Sequence, residues 1–260
     1  MILDEIVAAK KNELERRKQK IPLSFLASKI PGLPSTRSFE DVLIKPGISL
    51  IAEIKKASPS AGIICEEFNP SKIAKIYEGN KASAISVLTE EKYFSGNINL
   101  LSQIKKITKI PILQKDFILE KYQIYEARLY GADSILLIAA ILSGKKIEDF
   151  FTLAHQLGMS AILEVHNNED LKKVLVTEAK IIGINNRNLK TLKIDLGTTL
   201  KLREKIPSDK IVISESGIKG YNDIQLLKKC GIDGILVGET LLQSKNIVEK
   251  MKELIGEKND

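Results

Sequence analysis

Glu53 and Lys55 stand two residues apart at the end of an apolar run, Ser49-Leu50-Ile51-Ala52. If that run is a strand, both share a face with Ile51. A carboxylate and an ammonium on one face of a core strand are costly unless they pair or serve a site. The run then breaks into Ala57-Ser58-Pro59-Ser60, a turn able to pass over a polar ligand. The same design recurs along the chain. The ends of later apolar runs carry Lys115, Glu164, Asn185 with Arg187, and Glu215. Two ammonium groups, three carboxylates, an amide and a guanidinium could hold an anion and move protons. One Lys or Glu at a strand end is ordinarily just solvated, and Asn185-Asn186-Arg187-Asn188 alone could be a polar turn. The weight comes from repetition, because five separate runs place a charged or amide side chain at the same register position.

A phosphate signal accompanies this set. Ser214-Glu215-Ser216-Gly217-Ile218 and Val237-Gly238-Glu239-Thr240 each put a Gly where backbone can approach a ligand, with helical sequence following. Backbone N–H groups at helix starts bind phosphate. Metal is not expected: His155 falls mid-helix, His166 stands alone at its rim position, and no Cys/His cluster has ligand spacing. Nor does any Cys–His or Ser–His–Asp arrangement suggest covalent catalysis.

The elements that must position these groups follow from periodicity. Strands are predicted at Leu50–Lys55, Ala84–Leu88, Ile112–Lys115, Ser134–Ile138, Ala161–Val165, Ile181–Asn185, Ile211–Glu215 and Gly234–Val237. Helical patterns lie between them. Ser71–Glu78 places Ile73, Ile76 and Tyr77 on one side, Glu120–Tyr130 does so with Ile124 and Ala127, and Asn222–Lys229 is expected to bury Ile224, Leu226 and Leu227. Gly131, Gly158 and Gly231 each suit a left-handed helix C-cap before the next strand. Strands alternating with helices imply parallel pairing. Eight such units match an α/β (β/α)8 TIM barrel, whose chemistry sits at the strand C-termini and whose phosphate sites commonly follow strands seven and eight. An open doubly wound sheet would call for a Gly-rich fingerprint after the first strand, and Lys55-Lys-Ala-Ser-Pro-Ser is not one. Residues 1–260 are read as a single barrel domain, of which 1–47 is an N-terminal helical extension packed on the barrel. The loop Thr89–Asn97 is expected to move over the site, carrying Phe94.

Composition narrows the partners. A net charge of +7 fits nucleic acid, anionic membranes or small anions. The lysines are scattered among 33 acidic residues, and Glu15-Arg16-Arg17-Lys18-Gln19-Lys20 reads as a solvated helix face. With 5% aromatics and no Trp, stacking platforms for nucleic acid are poorly supplied. No apolar run reaches membrane-span length and no signal peptide is read at the N-terminus. Two distant cysteines, Cys65 and Cys230, suit thiols in a reducing cytoplasm. Small anions are the favoured partners, with no nucleic acid and no membrane.

These segments resemble indole-3-glycerol phosphate synthase over essentially the whole chain. The matching stretches are Ile51–Ser60, Leu113–Phe117, Gly131–Leu137, Leu163–His166, Ile182–Leu189, Ser214–Ile218 and Leu236–Thr240, ordered and complete. One local difference is His166, where some members carry Asn. The resemblance implies ring closure, decarboxylation and dehydration of 1-(2-carboxyphenylamino)-1-deoxyribulose 5-phosphate in tryptophan biosynthesis, with no cofactor and no metal. It implies Lys115 as general acid on the carbonyl oxygen, Glu164 as partner acid/base, and Lys55 at the departing oxygen and the substrate carboxylate. Glu53 would orient the lysines, Asn185 and Glu215 would meet sugar hydroxyls, and Arg187 would position the aromatic end. Phosphate would sit among Lys55, Ser58, Ser216, Gly217, Gly238 and the Glu239 N–H, and Pro59, Phe94, Phe117, Leu136, Leu189 and Leu236 would wall the ring. The expected protein is a cytoplasmic monomer. The rivals are another phosphosugar barrel enzyme, such as phosphoribosylanthranilate isomerase or the tryptophan synthase α subunit, and a non-catalytic anion-binding barrel.

Overall fold

Every one of the eight apolar runs forms a strand, because each is buried on both faces and no helix period competes. The computed structural model describes residues 2–65 and 67–256. Its barrel strands are β1 (Ser49–Ile54), β2 (Ala84–Leu88), β3 (Ile112–Lys115), β4 (Ser134–Ile138), β5 (Ser160–Val165), β6 (Ile181–Asn185), β7 (Ile211–Glu215) and β8 (Gly234–Val237). Each pairs in parallel with its sequence neighbours, and β8 closes on β1 with Ser49 opposite Gly234. The closed ring is a (β/α)8 barrel and excludes the open-sheet alternative. The first strand begins and ends one residue earlier than the pattern predicts, so Lys55 lies just past its end.

Alternation along each strand divides two cores. Leu50, Ala52, Ile54, Ile85, Val87, Ile135 and Leu137 face outward against the surrounding helices. Ile51, Ala84, Leu113, Leu136, Ile162, Ile181, Ile213 and Leu236 fill the barrel. Two residues further on, the inward register arrives at Glu53, Lys115, Glu164 and Glu215, and Asn185 follows two steps after Ile181. The site is thus the continuation of the inner core by polar side chains.

The helices agree with their periodicity, with one correction. Helix α4 (Pro70–Gly79) starts where the Asn69 side chain accepts the Lys72 amide. Helix α6 spans Lys121–Leu129 and α10 spans Tyr221–Lys229. In α10, Ile224 and Leu227 are buried but Leu226 is 39% exposed, because residues three apart share a face and Leu226 falls outside it. Gly131, Gly158 and Gly231 hold φ of 95°, 78° and 70°, as their capping role requires. The remaining helices of the ring are α5 (Asn99–Ile107), α7 (Gly144–Gln156), α8 (Asn168–Leu175), α9 (Gly197–Arg203), α11 (Glu239–Leu242) and α12 (Ile247–Ile255).

Before the barrel come α1 (Ile2–Lys20), α2 (Leu23–Lys29) and α3 (Glu40–Leu43). Phe39 and Leu43 join the inner core, while Ile6 meets it from α1. The segment 15–20 is not wholly solvated. Arg17 lies 2.6 Å from Glu13, 2.7 Å from Glu91 and 3.3 Å from Glu126, and Lys18 lies 2.9 Å from Glu120. Lys10 is fully buried, 3.0 Å from Glu13 and 2.9 Å from Asp116, the neighbour of Lys115. Burial alone would lower the Lys10 pKa, but Asp116 and then Glu13 outweigh it and hold it above its ordinary value. Asp116 also takes the Thr89 hydroxyl at 2.6 Å and the Phe117 amide at 2.7 Å. Removing one partner of a buried ion pair leaves the other charge unpaired. Lys10→Met is therefore expected to cost about 3–5 kcal/mol of stability. Urea unfolding measures it, and a loss below about 1 kcal/mol, the scale of an exposed pair, would mean the pair holds nothing in place.

Candidate active site

At the C-terminal rim Glu53 sits between the two lysines. Its Oε1 lies 2.8 Å from Lys55 Nζ and its Oε2 lies 2.9 Å from Lys115 Nζ. Burial alone would raise the Glu53 pKa, but Lys115 and then Lys55 reverse that and draw it down to about 2. Room for this carboxylate comes from Gly238, where a Cβ would stand 2.9 Å from Glu53 Cβ and run into its carboxylate.

Lys115 faces a second carboxylate, Glu215, at 3.3 Å. Burial opposes its charge, but Glu53, Glu215 and Glu164 together raise its pKa above the ordinary value. Glu215 is fully buried and neither of its oxygens has an aligned hydrogen bond. Burial pushes its pKa up to about 7, with Lys115 opposing and Glu164 assisting. Across β6, Gly183 leaves the space the Glu215 carboxylate occupies. Glu164 takes the Asn185 amide on Oε2 at 3.3 Å, and His166 Nε2 lies 3.1 Å from its Oε1. Burial alone would raise Glu164, yet His166 and then Lys115 bring it below the usual carboxylate range.

Glu53, Lys55, Lys115, Glu164 and Asn185 line a cavity of about 480 Å³, within the range of small-molecule sites. Arg187 reaches it as well, and so do Ser58, Ser216, Gly217, Gly238 and Glu239. Ser216 and Gly217 turn with φ of 69° and 82°, which brings backbone to the cavity edge. Pro59, Phe94, Phe117, Leu136, Leu189 and Leu236 supply apolar wall, and the Phe94 and Phe117 rings lie 6.2 Å apart and tilted by 36°. Glu215 stands apart: it is fully buried, in contact with Lys115, and outside the cavity lining.

Some of the wall is not visible in the strand-end pattern. Ile2, Leu3 and Ile6 of α1 face the cavity, as do Leu192, Ile194, Lys219 and Lys250. The amphipathic pattern of α1 signals a buried face but not which surface it covers. His166, read as standing alone, is instead flanked by Glu164 and Asp170, with its Nδ1 3.6 Å from Asp170 Oδ2. The loop carrying Phe94 is tied down in this structure. The buried Glu90 carboxylate accepts the amides of Lys92, Tyr93 and Phe94 at 3.1, 2.7 and 3.1 Å. Arg187 ties its own loop to the loop after β1 and the start of α11, reaching Ser60 Oγ at 3.2 Å, the Leu192 carbonyl at 3.4 Å and Glu239 at 3.8 Å.

Residues 3–254 match the family model for indole-3-glycerol phosphate synthase. The chain belongs to the indole-3-glycerol phosphate synthase family. It is accordingly a carboxy-lyase of tryptophan biosynthesis. Among its relatives, the indole-3-glycerol phosphate synthase of Alkaliphilus metalliredigens is 49% identical over 98% of this chain and 98% of the relative. That of Acetivibrio thermocellus is 47% identical over 97% of this chain and 98% of the relative. Solved structures extend the likeness of fold alone. A tryptophan synthase α2β2 complex from Pyrococcus furiosus aligns with a TM-score of 0.60 at 17% identity, covering 80% of this chain and 98% of that one. The 3-hexulose-6-phosphate synthase of Salmonella typhimurium aligns with a TM-score of 0.63 at 11% identity, covering 80% and 96%.

Proposed function

We propose that Lys115, Glu164 and Lys55 carry the ring closure of 1-(2-carboxyphenylamino)-1-deoxyribulose 5-phosphate, with the other rim residues binding the substrate and setting their charges. The ring carbon bearing the carboxylate attacks the ribulose carbonyl carbon, and Lys115 gives a proton to the carbonyl oxygen. CO2 then leaves with its bonding electrons returned to the ring. The new hydroxyl departs as water with a proton from Lys55, and Glu164 takes the proton from the carbon beside nitrogen. The raised pKa of Lys115 is no obstacle to the first transfer, because an alkoxide is a far stronger base than an amine. Glu164, held ionised by its neighbours, suits the role of base. The observation that carries this reading is Lys115 Nζ, at the cavity wall, 2.9 Å from Glu53 and 3.3 Å from Glu215.

Phosphate is assigned to Lys55, Ser58, Ser216, Gly217, Gly238 and the Glu239 N–H, which line the cavity beyond the ends of the adjacent strands β1, β7 and β8. The aromatic ring is assigned to the Phe94–Phe117 side, with Pro59, Leu136, Leu189 and Leu236. Arg187 holds the loops around the aromatic end, and Asn185 meets a sugar hydroxyl while steadying Glu164. Glu215 acts through Lys115 rather than on the sugar, since it is fully buried and meets Lys115 at 3.3 Å. Ser216→Ala is expected to raise KM about tenfold with a smaller change in kcat, the scale of one hydrogen bond to a charged group. An unchanged KM would remove Ser216 from the phosphate site.

The same reading has the chain working as a monomer in the cytoplasm, since one chain supplies every group named and both cysteines are free thiols. The test is fluorescence-detected formation of the indole product from the carboxyphenylamino-deoxyribulose phosphate, with excess chelator present. Product formation is expected. Folded protein that binds this substrate without turning it over would instead be an anion-binding barrel.

A further inference from the structure

His166 begins the loop after β5, and its side chain is only 6% exposed. Each ring nitrogen faces a carboxylate. Nε2 lies 3.1 Å from Glu164 Oε1, and Nδ1 lies 3.6 Å from Asp170 Oδ2 in the first turn of α8. Neither contact has hydrogen-bond geometry, the Asp170 one being too long and the Glu164 one misaligned. A neutral imidazole carries one N–H and one lone pair. In this setting it would aim its lone pair at one of two buried carboxylates.

Asp170 is itself fixed. Its Oδ2 accepts the His166 amide and the Asn167 side chain, both at 3.2 Å, and its own amide donates to Asn167 Oδ1 at 2.9 Å. Lys173 on the same helix lies 3.7 Å from the other Asp170 oxygen and donates to the Ala139 carbonyl at the end of β4. On the barrel side, Lys115 acts on Glu164 from β3, and Asn185 donates to it from β6. The charged groups around the imidazole are thus Glu164 and Asp170 directly, with Lys173 in contact with Asp170 and Lys115 acting on Glu164 through its charge.

We propose that His166 is a positioning residue: an imidazolium, held by Asp170, that keeps the buried Glu164 ionised and turned toward the cavity. The contacts at the rim support this. Glu53 meets Lys55 and Lys115 at 2.8 and 2.9 Å and Glu215 meets Lys115 at 3.3 Å, while the cation in contact with Glu164 is His166, at 3.1 Å. Burial alone would lower the His166 pKa, but Glu164 and Asp170 overcome it and raise it to about 9, so the ring is cationic at neutral pH.

This inference rests on Glu164 serving as the base, and two measurements separate the two claims. His166→Gln keeps an N–H near Glu164 and removes the charge. An opposite charge nearby lowers a carboxyl pKa by about 1–3 units. The acidic limb of the kcat profile should therefore move up by about 1–3 pH units, with KM within about threefold of wild type, while Asp170→Asn moves it by less. A folded His166→Gln protein whose limb does not move would overturn the proposal, even if kcat falls. The second measurement needs no turnover: the ring 15N shifts of His166 in the substrate-free protein, assigned against a His155→Gln variant. Both nitrogens should be protonated at pH 7. A single ring N–H would overturn the proposal even if the Gln variant fails to fold. Wild-type protein that makes no indole product would instead sink the functional reading and leave the ring state of His166 to be judged on its own.

Discussion

Lys115→Ala is expected to lower kcat by about 10²–10⁴-fold while substrate still binds, the range of a lost general acid. The structure adds a reason for the upper part of that range. Lys115 is the cation shared by Glu53 and Glu215, and it also acts on Glu164. Without it, buried carboxylates repel one another, and Glu215, already pushed to about 7, takes up a proton more readily. The alanine variant should therefore bind an extra proton near neutral pH, measurable by potentiometric titration against wild type. Lys115→Arg separates charge from proton transfer. A guanidinium neutralises the carboxylates but does not release its proton in proteins. If Lys115 only stabilises negative charge, Arg should restore much of the rate. If it transfers a proton, Arg should be nearly as slow as Ala. Near-normal turnover by the alanine variant would remove Lys115 from the chemistry.

The rim could be read from sequence because a strand has a period of two and the barrel interior has one polarity. Ile51, Leu113, Ile162 and Ile213 fill the inner core, so Glu53, Lys115, Glu164 and Glu215 had to emerge above it on the same face. Period alone does not give depth. Glu164 pairs with Gly183 and Glu215 with Asn185, two residues further along, yet the Glu215 carboxylate turns back into the space Gly183 leaves open and stays fully buried. His166 was legible as a neighbour of Glu164 but not as its partner. That partnership needs Asp170, which the chain brings back only by capping α8 with Asn167. His-x-x-x-Asp across a strand-to-helix turn is the signal that could have pointed to it.

The N-terminal helix shows a different limit. Ile2, Leu3 and Ile6 mark an apolar face, but periodicity does not say that this face meets the cavity. Lys10 lies on that helix and reads as an ordinary surface lysine until Asp116 is placed against it. The contact couples the extension to the residue after Lys115. Glu90 is similar. A Glu in a loop suggests exposure, but its carboxylate caps three successive amides and fixes the approach of Phe94. Long-range partners of this kind carry no periodic trace, so composition and spacing pass over them.

Glu164→Gln carries the second large effect, an expected fall in kcat of about 10²–10⁴-fold with KM nearly kept. The amide is isosteric and can still accept from Asn185 with one atom, so the change isolates the carboxylate's charge and basicity. It also has a consequence at His166. The imidazole pKa is raised to about 9, first by Glu164 and then by Asp170, so losing Glu164 removes the larger support. In Glu164→Gln the ring should titrate closer to its ordinary value of about 6.5. A histidine NMR titration of the substrate-free variant checks this without any turnover. Paired with the kinetics, it distinguishes two failures. Normal turnover with a lowered imidazole pKa would mean that Glu164 and His166 form a charge pair that the reaction does not use. Slow turnover with an unchanged imidazole pKa would mean that Glu164 acts on substrate while Asp170 alone keeps the ring charged. The coupled mechanism requires both to change together, because the geometry gives the base and its counterion one shared contact of 3.1 Å.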